Sequence, residues 1–130
     1  MKKAILVTIL LLLWSSPMFA QIRRWVYNYD WQGWHDKANA IAYGSDGNTY
    51  IAGSRINISE EQFTVISLNP NGDQRWIYAH PAGRANAIIY APDGYVYAAG
   101  WTSSPGGGWD ITIIKFDPNN LTGTPVWIYQ

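Results

Sequence analysis

The sequence predicts an all-β chain in which one four-strand unit is used twice, and three sets of recurring residues predict it. Asp46-Gly47-Asn48-Thr49-Tyr50-Ile51-Ala52-Gly53 returns 47 residues later as Asp93-Gly94-Tyr95-Val96-Tyr97-Ala98-Ala99-Gly100. Ala38-Asn39-Ala40-Ile41-Ala42-Tyr43 returns at the same distance as Ala85-Asn86-Ala87-Ile88-Ile89-Tyr90. Trp25-Val26-Tyr27, Trp76-Ile77-Tyr78 and Trp127-Ile128-Tyr129 follow one another in two equal steps of 51. A period of this length marks a repeated supersecondary unit.

The unit begins only after an export segment. Lys2 and Lys3 precede an apolar run from Ala4 to Trp14, which Ser15-Ser16-Pro17 breaks. That run is shorter than the roughly 20 residues a membrane span needs, so residues 1–20 read as a signal helix removed after Ala20. The mature chain, 21–130, is then expected to be secreted, extracellular or periplasmic, with no membrane span. It is long enough for one small domain. No run of Lys or Arg occurs, which argues against nucleic acid or an anionic membrane as partner. Cysteine is absent, so neither disulfides nor a thiolate metal cluster can hold the fold, and strand pairing and core packing must.

Taken in order, Trp25-Val26-Tyr27-Asn28-Tyr29 forms, with Arg24, a leading outer strand at 24–29, rich in aromatic and β-branched residues. The first unit covers about 38–79 and the second about 85–130. Each holds an Ala-rich strand, a Tyr-x-Ala-Gly strand, a Thr-centred strand (Phe63 to Leu68, Ile111 to Phe116) and a Trp strand. Asp46-Gly47 and Asp93-Gly94 supply the tight turns, since glycine adopts positive φ freely and an Asp side chain bonds the backbone beyond it. Gly53 and Gly100 close the second strands. These six residues are read as structural. No segment after the signal keeps a 3.6-residue period, so no further helix is expected. The strands are apolar or small on both faces, as in sheets covered on both sides. The predicted fold is therefore two four-stranded antiparallel blades of an incomplete β-propeller.

The residues Ala40-Ile41-Ala42, Asp46 to Gly53 and Phe63-Thr64-Val65-Ile66-Ser67-Leu68-Asn69-Pro70-Asn71-Gly72 resemble the seven-bladed β-propeller (SBBP) repeat of secreted bacterial proteins. The second unit matches through Ala87-Ile88, Asp93 to Gly100 and Ile111 to Pro118. The resemblance covers about 24–130 and implies a propeller in an exported protein, with no catalytic residues to transfer. A ring needs four or more blades. The remaining blades are expected either from a longer chain, of which this is the N-terminal part, or from further copies of the chain.

An up-and-down unit collects its longer loops at one end, here Asp30 to Lys37 and Ser54 to Gln62 from the first unit and Ala79 to Arg84 and Trp101 to Asp110 from the second. Trp31, Trp34, His35 and Arg55 from the first unit, and Trp101, Trp109 and Asp110 from the second, are expected to share that rim near Asp36. Exposed indoles beside polar groups suit sugar rings or peptide. Glu60-Glu61 reads as a solvated loop pair. No metal-ligand spacing surrounds His35 or His80, no Gly-x-Ser-x-Gly occurs, and Gly106-Gly107-Gly108 lacks the Lys of a phosphate loop. Neither metal nor cofactor is expected. The leading reading is a non-catalytic extracellular scaffold or binding surface. The alternatives are a lectin-like module using the Trp-rich rim and a fragment of a quinoprotein-type propeller enzyme.

Overall fold

A computed structural model describes residues 25–33 and 35–130. The signal helix expected at 1–20, Arg24 and Trp34 lie outside the described residues. Within them the chain is all β, without helix. Strands β1 (Asp36–Tyr43), β2 (Thr49–Ile56), β3 (Glu61–Leu68) and β4 (Gln74–His80) form one antiparallel sheet in the order β1-β2-β3-β4. Strands β5 (Gly83–Tyr90), β6 (Val96–Ser103), β7 (Trp109–Phe116) and β8 (Pro125–Tyr129) repeat that order in a second.

The repeated residues have repeated jobs. In each unit the turn glycine takes positive φ, 81° at both Gly47 and Gly94. Asp46 accepts a hydrogen bond from the Asn48 amide and another from the Tyr50 hydroxyl. Asp93 does the same for the Tyr95 amide and the Tyr97 hydroxyl. Tyrosine four residues after the Asp is therefore the cap of the turn. Burial raises the Asp46 pKa, but the bonds from Tyr50 and Asn48 outweigh it and hold the carboxyl below its ordinary value. The closing glycines answer a steric demand. A Cβ on Gly53 would lie 1.9 Å from the Lys37 carbonyl oxygen, and one on Gly100 1.9 Å from that of Arg84. Both approaches occur beside a bulge in the neighbouring strand, at Ala38/Ala40 and at Ala85/Ala87.

The two sheets stack, and unlike faces meet. The front of the first sheet (Tyr50, Ala52, Phe63, Val65, Trp76 and half-buried Tyr78) packs on the back of the second. That back carries Ala85, Ile88, Val96, Ala98, Ile114 and Phe116. Trp76 stacks on Phe116 with ring centroids 5.3 Å apart, and Tyr50 stacks on Tyr90 at 6.0 Å. The cross-strand partners settle which residues share a face: Tyr50 with Ser67, Ala52 with Val65, and Ser54 with Phe63 on the front. By the same 47- and 48-residue offsets, the back of the first sheet carries Ile41, Tyr43, Ile51, Ile66 and Leu68. The front of the second carries Tyr97, Ala99, Ile111, Ile113, Trp127 and Tyr129. Neither of these outward faces meets a sheet, which leaves Tyr43 74 % and Ile111 75 % exposed.

The leading residues belong to neither sheet. Expected as a strand over 24–29, residues 25–30 carry no strand pairing, because the described residues include no third sheet to pair with. They lie instead across the back of the first sheet. Trp25 sits against Gly72, where an added Cβ would come within 2.7 Å of the indole. Tyr27 donates to Gln74, and Arg55 donates to the Tyr29 hydroxyl. Trp76 sits in the same way against Gly123 of the second sheet. The pairs Trp25/Gly72 and Trp76/Gly123 have equal sequence spacing, so the leading segment occupies on the first sheet the seat that β4 occupies on the second.

Candidate functional site

The expected rim residues separate into two groups. Arg55, the seventh residue of β2 rather than part of a loop, gathers the first. Its guanidinium lies 4.1 Å above the centre of the Trp31 ring, a cation–π arrangement. Its Nε donates to Gln62 at 2.6 Å and an Nη donates to Tyr29 at 3.1 Å. The Trp31 amide donates to Oδ2 of Asp36, which faces Arg55 across the β1–β2 pair. His35 contributes its carbonyl, which accepts from the Ile56 amide. Trp34 is outside the described residues.

Between this group and the sheet lies a cavity of about 270 Å³, lined by Tyr27, Tyr29, Asp36, Lys37, Ser54 and Ile66 among others. Asp36 Oδ1 is buried there without a hydrogen-bond partner. A buried carboxylate oxygen with no donor is a costly arrangement. Burial, with the neighbouring Tyr29 adding to it, pushes the Tyr27 phenol above its ordinary pKa.

The second group is on the other outward side of the stack. Trp101 and Trp109 lie parallel, centroids 4.5 Å apart and 13° between planes, with Trp109 75 % exposed. Asp110 does not join them: exposed and opposite Thr102, it lies on the other face of the sheet. These residues were expected in a loop from Trp101 to Asp110. They are strand residues, because β6 runs on to Ser103 and β7 begins at Trp109, leaving Ser104 to Gly108 as the connection. The first unit behaves alike: its expected loop from Ser54 to Gln62 shrinks to residues 57–60, with Asn57 bonded to Glu60 across it. All these residues lie at one end of the strands. The expectation of a single shared site does not follow, since Arg55 is on the back of the first sheet and Trp101 on the front of the second.

Glu61 was expected in solvent and is instead a cross-sheet clamp. It receives both Nε and Nη2 of Arg84 at 2.8 Å, a two-pronged ion pair, and the Ser54 hydroxyl at 2.6 Å. Burial raises its pKa, but Arg84 and Ser54 outweigh that and hold it below the ordinary carboxylate value. At the opposite end, Arg75 donates to the Pro118 carbonyl at 2.9 Å. On the front of the second sheet Lys115 lies 3.6 Å from Asp93 and 3.7 Å above the Tyr95 ring. The hydrogen bond to Tyr97 is the main reason the Lys115 pKa rises, with Asp93 adding to it.

Among the described residues no cluster of three or more His, Cys, Asp or Glu could hold a metal. No helix among them is long and apolar enough to cross a membrane. No family model matches this chain, and no curated protein sequence matches it.

Proposed function

We propose that the chain is a segment of an exported β-propeller of the SBBP-repeat kind, acting as a non-catalytic scaffold that presents a binding surface. One observation supports this most strongly: front-to-back stacking of two equivalent sheets, with an apolar front and an apolar back left over. A ring is the closed arrangement in which every sheet meets two neighbours through one repeated contact. In that ring the segment at residues 25–30 would be the fourth strand of the sheet behind the first. Three carboxylates serve structure: Asp46 bonds Tyr50, Asp93 bonds Tyr97, and Glu61 pairs with Arg84.

A chain carrying residues 36–130 three times in tandem tests the architecture. The expected outcome is a compact, monodisperse particle by small-angle scattering, in which the internal copies of Trp109 are shielded from acrylamide quenching. An extended string with every Trp109 quenched would reject the propeller.

The stacked indoles of Trp101 and Trp109 favour a second reading, a lectin-like surface, since a sugar ring packs on such a platform. The equivalent position to Trp101 is Ser54, only 2 % exposed where two sheets meet. Completing the stack would cover the platform, so the scaffold reading is preferred. A glycan array decides between them: a sugar retained by the wild-type chain and lost in Trp109→Ala would transfer the assignment to the lectin.

A further inference from the structure

No further inference is drawn: the strongest candidate, the cavity between residues 27–29 and the back of the first sheet beside the unpartnered Asp36 Oδ1, is floored by Ala38, Ile51 and Ile66, counterparts of the Ala85, Ala98 and Ile114 that the first sheet covers on the second, and nothing in the structure shows what covers it.

Discussion

A methyl group on Gly100 would meet the Arg84 carbonyl oxygen at 1.9 Å, a contact that neither strand can absorb without opening the bulge between them. Gly100→Ala is expected to cost about 1–3 kcal/mol, read as a lower urea midpoint with an unchanged slope. Gly106→Ala, with nothing within 4 Å of the added carbon, should be nearly neutral and is the control. The Glu61–Arg84 pair carries a pH signature. Because Glu61 has a folded pKa below its unfolded one, its contribution is fully present above the unfolded value and is lost as pH falls through the folded value. Asp46, lowered by Tyr50 and Asn48 against its burial, has the same sign. Stability measured by denaturant should therefore drop below about pH 4–5, and Glu61→Gln should flatten that drop. The Arg84 side chain is 37 % exposed, so the pair contributes about 1 kcal/mol or less at neutral pH.

Among the elements, β2, β3, β6 and β7 are central, with strand neighbours on both sides, while β1, β4, β5 and β8 are edges. β8 is the shortest, and its last four residues are all exposed. Hydrogen exchange is expected to be fastest in β8 and slowest in β2 and β3, where the buried run from Phe63 to Leu68 lies. The strands and turns were legible in the sequence because their causes are local. An Asp-Gly turn capped by a tyrosine four residues on reads the same in one dimension as in three, and so does a glycine closing each second strand. The strand ends were not legible. Apolar alternation stops before Ser103 and Trp109, yet backbone pairing between them continues, which moved Trp101, Trp109 and Arg55 from loops into strands. The Glu61–Arg84 clamp was hidden for a different reason: its members are 23 residues apart on separate sheets, and only the stacking of those sheets joins them. No spacing rule reports such a pair.

At the scale of the whole molecule, a single core made by both sheets implies a single unfolding event. Phe63 on one sheet and Phe116 on the other are almost wholly enclosed, at 0 % and 1 % exposure. Truncating either to Ala should cost about 3–5 kcal/mol. Each should lower the melting temperature of both sheets together, seen as coincident far-ultraviolet circular dichroism and tryptophan fluorescence transitions. Separate transitions for the two units would show that each sheet is stable alone. The sequence predicted two equivalent sheets; that unlike faces meet follows only from the side chains, since Trp76 touches Phe116 and not a second tryptophan. That asymmetry also bears on descent. Any unit duplicated within the gene and inserted between the existing two would inherit one complementary surface on each side, so such a chain can lengthen by whole modules without new contacts being invented. The exception is Arg75, whose counterpart in the second module is Val126. A module packed on the front of the second would lack the counterpart of the Arg75–Pro118 bond and would be joined least firmly there.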